Sequence, residues 1–494
     1  MSRKESRGSI MSGRLEGLEP SKVFHFFEEI CSIPHGSYHV DEISSYLEDF
    51  AVKRNLRYVR DKENNVVIYR DASDGYEDKP VIILQGHMDM VAVNDDQAVD
   101  MDTTPLDVCH DDEYIYAKGS SLGGDDGIAV AYMLAILDDA SIKAPALEAV
   151  FTTNEEVGMD GAIALDPGLL KGKRLINLDS EEEGIFIAGC AGGIKMKAGI
   201  ELAASDNADG TDKACVKVSV SGLLGGHSGE MIIKNRANAI KICGRLLYDI
   251  CDRFDAEFVD IKGGTKSNAI ADKAEFEILI NRDDISELNA VIASIEQEVK
   301  NEYRQKDDGI KISAADSLLG GRSIFAADSL KKLASFIMAV PDGVQAMCGW
   351  TEGLPLTSLN VGIIERKGNT VYTYHELRSQ MGSSLRNLSK SVTAIADSFG
   401  AVCENSSQYP EWEYRESSPL RDEMCRVYRE MYSAEPKIEV IHAGLECGIL
   451  AQKIDGFDAV SIGPDILDIH TTKEKLSIKS TERVWEYLLR VLSA

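Results

Sequence analysis

The segment Val81-Ile82-Ile83-Leu84-Gln85-Gly86-His87-Met88-Asp89 begins with a run of apolar residues and ends with polar ones. Its continuous apolar start is typical of a strand that is buried on both faces of a mainly parallel sheet. Further strand patterns occur at Leu147–Thr153 and Leu175–Leu178, and a helical pattern at Ile128–Leu137 precedes them. Strands that alternate with helices predict an α/β fold.

The pattern changes along the chain, and this change predicts more than one domain. A chain of 494 residues is too long for one hydrophobic core. After residue 192, period-two segments such as Ala214–Val220 mix with amphipathic helices such as Asn238–Ile250, which indicates an α+β domain with an antiparallel sheet. The α/β pattern returns after residue 403. We therefore predict an N-terminal extension (1–18), an α/β domain in two parts (19–192 and 404–494) and an inserted α+β domain (193–403).

Composition and charge exclude several classes of protein. The net charge is −29, from 53 basic and 82 acidic side chains, so neither nucleic acid nor an anionic membrane is an expected partner. The N-terminal residues lack the apolar segment of a secretory signal, and the chain has no apolar run long enough to span a membrane. Its ten cysteines form no C-x-x-C pair, which argues against a thiolate zinc site and fits a cytoplasmic enzyme.

Acids or histidines follow the apolar strands, at the end of the sheet where open α/β folds bind their ligands. His87 and Asp89 are two residues apart, so their side chains point the same way in an extended chain. Asp125 follows a glycine-rich loop, and its alternative role is that of an ordinary helix cap. The remaining candidates are Glu155 and Glu156 after one strand, Asp179 after another, and His470 near the C-terminus.

These residues offer a balanced set of ligands for two divalent cations. The candidate ligands are two imidazoles and three carboxylates, namely His87, Asp125, Glu156, Asp179 and His470. Four positive charges would meet three carboxylates and one hydroxide, which is the balance that a two-metal hydrolase needs. Mixed nitrogen and oxygen ligands favour Zn²⁺, with Mn²⁺ or Co²⁺ as alternatives.

The same motifs, in the same order, resemble those of the co-catalytic zinc peptidases, which include carboxypeptidase G, carnosinase and peptidase T. Within that family, Glu155–Ala162 and His442–Gly448 are similar to the aminoacyl-histidine dipeptidases, also called cytosol non-specific dipeptidases. The resemblance covers almost the whole chain beyond residue 18. It implies a mainly parallel-sheet zinc-peptidase catalytic domain with an inserted α+β lid domain. The motifs are Gly86–Asp89, Gly124–Gly127, Asn154–Gly158, Leu178–Ser180 and His470.

The resemblance also implies roles for individual residues. Asp125 would bridge two cations, one completed by His87 and Asp179 and the other by Glu156 and His470. Glu155 would be the general base, and Asp89 would orient His87. The residues that would contact the substrate are His227, Asn268, Arg378 and Gly444.

Some assignments keep an alternative. Asp126 follows Asp125 where relatives often have Asn, so either of these acids could bridge the cations. Arg378 could form a surface ion pair. The more specific hypothesis is that its planar guanidinium donates hydrogen bonds to a substrate carboxylate. Asn268 could equally stabilise a turn.

The resemblance predicts a cytoplasmic, metal-dependent dipeptidase that acts on Xaa-His dipeptides such as β-Ala-His or on a broader range. A homodimer formed through the lid domain is the expected assembly, and a small peptide is the expected partner. One rival function is an amidase or deacylase of N-acyl amino acids, because the same metal chemistry serves any amide. Another rival is a catalytically silent relative that binds peptides.

Overall fold

A computed structural model describes residues 13–96, 99–205, 212–349 and 351–494 of the chain. In chain order its strands are β1 (Arg57–Arg60), β2 (Val66–Arg70), β3 (Ile82–His87), β4 (Val108–His110), β5 (Tyr114–Ala117), β6 (Leu147–Thr152), β7 (Arg174–Asn177), β8 (Ile185–Cys190), β9 (Gly192–Glu201), β10 (Lys213–Ser221), β11 (Gly226–His227), β12 (Glu257–Gly263), β13 (Ala269–Ile270), β14 (Ala274–Asn281), β15 (Lys311–Ser317), β16 (Gly343–Met347), β17 (Pro355–Lys367), β18 (Thr370–Ser379), β19 (Ala401–Tyr409), β20 (Lys437–Ile441), β21 (Asp458–Ser461), β22 (Ile466–Leu467) and β23 (Lys475–Ser477). Its helices are α1 (Ser21–Cys31), α2 (Asp41–Lys53), α3 (Gly124–Asp138), α4 (Glu155–Gly158), α5 (Asp160–Ala164), α6 (Ala239–Arg253), α7 (Ile285–Glu302), α8 (Ala327–Ala339), α9 (Gly382–Ser398), α10 (Pro419–Tyr432), α11 (Glu446–Lys453) and α12 (Ile478–Leu492).

The chain divides into two compact units, and the second unit interrupts the first in sequence. The first unit contains the residues up to Gly189, together with Tyr414–Val440 and Glu446–Ala494. The second unit contains Cys190–Glu413 and Ile441–Leu445.

The first unit is built on a sheet with a parallel centre. Its strand order is β1-β2-β6-β3-β7-β21-β8-β20, and the pairs β6–β3, β3–β7 and β7–β21 are parallel. The pairs β1–β2, β2–β6 and β21–β8 are antiparallel. All residues of β3 and β6 are buried, as their continuous apolar runs predict. The predicted α/β class is confirmed, and the sheet is mixed: parallel pairs form its centre and antiparallel pairs flank them.

Helix α3 forms the centre of the first unit's core. Its residues from Ile128 to Leu137 are all buried, because the helix is apolar on every side. The ring of Tyr132 stacks on Trp485 of α12, with 6.0 Å between the ring centroids. Its hydroxyl donates a hydrogen bond to the carbonyl of Thr481 at 2.9 Å. This packing fixes the N-terminal end of α3, where Asp125 lies.

The second unit is an α+β structure with an antiparallel sheet. The strand order is β15-β10-β14-β12-β17-β18-β9-β19, with β16 paired to β17. Buried and half-buried residues alternate along most of β9, as expected when one face of a sheet covers a core and the other is more open. The core beneath this sheet includes Leu246 of α6, Ile292 of α7, Leu333 of α8 and Val392 of α9.

The ends of the units differ from the predicted boundaries. Residues 1–12 of the predicted extension lie outside the described residues. Leu15 is buried in the core of the first unit, and Arg14 pairs with Asp107, so this part of the predicted extension is packed. Strand β19 spans the predicted boundary at residues 403 and 404. It pairs with β9 along most of its length, which is a long-range contact that local pattern does not reveal. None of the described helices is long and apolar enough to cross a membrane.

A half-buried acid in the second unit gives a test of its packing. Asp342 precedes β16, and its Oδ1 accepts hydrogen bonds from the amide of Val361 at 2.8 Å and from Asn238 Nδ2 at 3.1 Å. Burial raises the pKa of Asp342 to about 6 from its ordinary value of 3.8. The folded state therefore binds this proton more tightly than the unfolded state, and the charged form destabilises the fold above pH 6.

We predict that Asp342→Asn stabilises the second unit above pH 6, because the amide oxygen keeps both hydrogen bonds while the buried charge is removed. The gain should be at most about 3 kcal/mol, and less because the side chain is partly exposed. It should shrink towards zero as the pH falls from 6 to 4. Urea unfolding at several pH values measures the difference, with the exposed Asp316→Asn as control. A pH-independent difference would contradict the assignment.

Candidate metal centre

The sheet brings three of the candidate segments to one edge. Strands β6, β3 and β7 are parallel neighbours, so their carboxyl ends lie side by side. His87 is the last residue of β3, and Asp179 follows β7 by two residues. Glu155 and Glu156 begin the short helix α4, just after β6. This edge is the usual ligand-binding position in an open α/β sheet.

The carboxylate of Asp125 lies between two imidazoles. Its Oδ1 is 3.1 Å from Nε2 of His87, and its Oδ2 is 3.1 Å from Nε2 of His470. Asp179 Oδ1 is 3.5 Å from the His87 nitrogen, and Glu156 Oε1 is 3.0 Å from the His470 nitrogen. The structure thus brings all five predicted ligands together, with Asp179 beside His87 and Glu156 beside His470.

A backbone carbonyl orients the imidazole of His87. Its Nδ1 lies 2.9 Å from the backbone carbonyl of Asp89, which can accept a hydrogen bond only from a protonated Nδ1. In the neutral ring Nε2 then carries no proton and can act as a ligand, an arrangement common around metal-bound histidines. The carboxylate of Asp89 is farther from the ring, at 3.6 Å, and accepts hydrogen bonds from Ser37 Oγ at 2.8 Å and from the amide of Glu155 at 3.1 Å. Asp89 therefore positions both His87 and Glu155.

Asp126 lies differently from Asp125. Its side chain is almost fully buried, and its Oδ2 accepts a hydrogen bond from the backbone amide of His87 at 3.1 Å. The peptide bond that joins the two acids is cis. Asp125 alone of the pair has one carboxylate oxygen beside each imidazole.

The cluster holds more carboxylates than imidazoles. Burial raises the pKa of Asp126 well above its usual range, and so does the negative charge of Asp179. Burial likewise raises the pKa of Glu155, helped by Asp179 and Glu156. Burial lowers the pKa of His470, but hydrogen bonds with Asp125 and Glu156 outweigh it and raise that pKa to about 11. The acids therefore attract any cation that reaches this position.

The donor set fits divalent cations. Two groups of three side chains have ligand atoms within 4.8 Å of one another, and both contain His87. Carboxylate oxygens with imidazole nitrogens are ordinary ligands of Zn²⁺ and Mn²⁺. The groups are His87 with Asp125 and Glu156, and His87 with Asp126 and Asp179.

A buried carboxylate that the motif roles did not include lies behind the site. Glu446 Oε2 accepts hydrogen bonds from Gln85 Nε2 at 2.5 Å and from Thr152 Oγ1 at 2.6 Å. Gln85 accepts one in turn from Asn177 Nδ2 at 2.7 Å. This network joins β3, β6 and β7 just before their site residues. Polar side chains inside otherwise apolar strands were the sequence signal for it.

The predicted substrate residues belong to the second unit. His227 on β11 pairs with Ala269 on β13, and the amide of Ser228 donates to the carbonyl of Asn268 at 2.8 Å, so His227 and Asn268 are neighbours. The guanidinium of Arg378 is largely buried and donates to the hydroxyl of Tyr409 at 2.7 Å. Gly444 lies in the separate segment that joins this unit.

Comparisons with known proteins show to which family the chain belongs. Residues 83–494 match the model of peptidase family M20/M25/M40. The chain belongs to that family. It is 33% identical over 479 residues to the cytosol non-specific dipeptidase of Escherichia coli, with 97% of this chain and 98% of the relative covered.

Two solved peptidase structures also resemble this chain. The crystal structure of aminoacylhistidine dipeptidase from Vibrio alginolyticus matches with a TM-score of 0.85 and 32% identity, over 97% of this chain and 98% of the other. The aminopeptidase PepT of Bacillus cereus matches with a TM-score of 0.55 and 15% identity, over 96% and 98% of the two chains, which concerns the fold alone. The predicted family and the predicted class of enzyme, a hydrolase of peptide bonds, are confirmed.

The close approach of β3 to α3 can be tested at Gly86. A Cβ atom there would lie 2.5 Å from Oδ2 of Asp126 and 2.6 Å from Cβ of Ala129. Gly86→Ala should therefore push the start of α3 from the strand and lower the free energy of unfolding by about 1–3 kcal/mol. Gly349→Ala is the control, because among the described residues, its chain neighbours aside, no atom lies within 4 Å of a Cβ at that position. Equal unfolding curves for the two variants would contradict this packing.

Proposed function

We propose that this M20 peptidase is a metal-dependent dipeptidase that hydrolyses dipeptides, including Xaa-His substrates such as β-Ala-His. The observation that carries the proposal is the carboxylate of Asp125 between His87 and His470, with Glu155 close by. Similarity along almost the whole chain to a cytosol non-specific dipeptidase and to an aminoacylhistidine dipeptidase supports the substrate class.

The proposed ligands hold two divalent cations, preferably Zn²⁺, with Mn²⁺ or Co²⁺ as alternatives. Asp125 would belong to both sets of ligands, because it has one oxygen towards each imidazole. When bound, such ions lower the pKa of water towards about 7 and polarise a carbonyl group. His87 and Asp179 complete one site, and Glu156 and His470 complete the other.

Glu155 acts as the general base in this proposal. Its carboxylate takes a proton from the attacking water and donates it to the leaving amine, as a positioned acid–base group can. The hydrogen bond from its amide to Asp89 fixes the start of α4 and hence the position of the side chain. Glu155 and Glu156 are adjacent, so one acid handles the proton while the other binds a cation.

Four residues of the second unit are proposed to contact the substrate. Arg378 pairs with its free carboxylate, because a planar guanidinium matches that group with two parallel hydrogen bonds. A positively charged side chain is needed to hold this carboxylate in a chain whose net charge is −29. His227 polarises the scissile carbonyl, and Asn268 and Gly444 complete the subsite. A homodimer formed through the second unit and a cytoplasmic location are further parts of the proposal.

The role of Glu155 is tested by Glu155→Gln. We expect the turnover number to fall roughly 100- to 10,000-fold, because the amide cannot accept the proton. The metal content, measured by mass spectrometry on the purified protein, should stay that of the wild type. Glu156→Gln is the matched control and should lower the metal content. Wild-type turnover by Glu155→Gln would exclude Glu155 as the base.

The substrate class is tested with a panel of amides. Chelator-treated protein, supplied separately with Zn²⁺, Mn²⁺ or Co²⁺, is assayed on Ala-His, β-Ala-His, other dipeptides and N-acetyl amino acids. We expect hydrolysis of dipeptides only, and none without added metal, because the ligand set needs its cations to activate water. Faster hydrolysis of acetylated amino acids would favour an amidase. Bound metal without turnover on any substrate would favour a silent peptide-binding protein.

A further inference from the structure

One acid near the metal centre has a role that its sequence motif does not suggest. Glu474 is 3% exposed, and its carboxylate accepts hydrogen bonds from four consecutive backbone amides. Oε2 accepts from Leu122 at 2.8 Å and from Gly123 at 3.1 Å. Oε1 accepts from Gly124 at 2.8 Å and from Asp125 at 3.3 Å. A charged acceptor with this many amide donors makes strong hydrogen bonds.

These amides belong to the glycine-rich loop and to the start of α3. The first amides of a helix have no partner within the helix, and residue 123, the N-cap, makes no side-chain capping bond here. Glu474 supplies the missing acceptor from a segment about 350 residues away in sequence. The loop sequence permits this approach, because a Cβ on Gly124 would lie 3.2 Å from Oε1 of Glu474.

His470 lies in the same short segment as Glu474. The amide of Glu474 donates to the carbonyl of Thr471 at 3.3 Å, so the two residues lie in one tight turn. At one end of this turn, His470 meets the carboxylate of Asp125, and at the other end Glu474 holds the amide of the same residue. Glu474 therefore ties the segment that carries His470 to the backbone of Asp125.

We propose that Glu474 is a positioning residue that sets the distance between Asp125 and His470, and so creates the cation site that these two residues share with Glu156. This inference rests on the proposed two-cation function. It predicts that loss of Glu474 weakens one cation site much more than the other, because His87 and Asp179 are held by β3 and β7 instead.

Glu148 provides a matched control. It is equally buried, at 3% exposure, and it also holds backbone amides: those of Lys171, at 2.9 Å and 3.0 Å, and of Gly172, at 3.0 Å. It belongs to β6 of the same unit, and none of its hydrogen bonds involves a predicted cation ligand. Glu148→Gln therefore removes similar bonds without touching the loop of Asp125.

The experiment titrates Zn²⁺ into the chelator-treated full chain and resolves two binding steps by calorimetry. Gln has one acceptor oxygen, so Glu474→Gln loses about half of the amide bonds. We expect one of the two steps to lose about 10- to 100-fold in affinity, as for other groups that orient metal ligands, with the other step unchanged. Glu148→Gln should leave both steps unchanged. Glu474→Asp, which keeps the charge but is one methylene shorter, should give an intermediate loss.

The outcomes separate the inference from the proposed function. Two unchanged steps in Glu474→Gln, or an equal loss in Glu148→Gln, would overturn the positioning role while dipeptide hydrolysis by the wild type stands. A wild-type chain that binds fewer than two cations would overturn the proposed function itself. If Glu474→Gln does not fold, judged by its circular dichroism, Glu474→Asp decides: two unchanged steps in that variant overturn the inference.

Discussion

Mutual repulsion among acids at one edge of a sheet is the constraint on which this structure depends. Asp125, Glu156 and Asp179 face one another around two imidazoles, with Asp126 and Glu155 beside them. Like charges at such distances repel strongly when they are shielded from water. The fold must therefore hold the acids against this repulsion until positive charge neutralises them.

A second set of carboxylates supplies that restraint. Asp89, Glu446 and Glu474 do not face the cluster as ligands. Each accepts hydrogen bonds from backbone or side-chain donors of the segments that carry the ligands. The acids of the site thus fall into two classes. The oxygens of one class face the predicted cation positions, whereas the oxygens of the other class accept hydrogen bonds from the protein itself. Ligands held in this way need little rearrangement on binding, which favours both affinity and catalysis.

Much of this arrangement could be predicted from the sequence. The buried strands and helices α3 and α6 follow from hydrophobic period, and His87, Glu156 and Asp179 follow strands whose carboxyl ends meet. Glu474 could not be predicted, because an acid four residues after His470 looks like a solvated loop residue until the glycine-rich loop is placed against it. The extent of β19 was missed for a similar reason, since its pairing with β9 joins residues about 200 positions apart. The local sequence pattern indicates which residues are buried and which secondary structure they form. Contacts between distant segments are known only from the folded structure.

The position of β21 has a consequence for the synthesis of the protein. This strand comes from Asp458–Ser461, yet it lies inside the sheet of the first unit, between β7 and β8. The N-terminal part of that unit therefore leaves the ribosome with an open gap in its sheet, while more than 200 residues of the second unit are translated. During that interval the exposed edges of β7 and β8 can pair with other chains. Rapid folding of the second unit, or protection by chaperones, would shorten the period in which the nascent chain can aggregate.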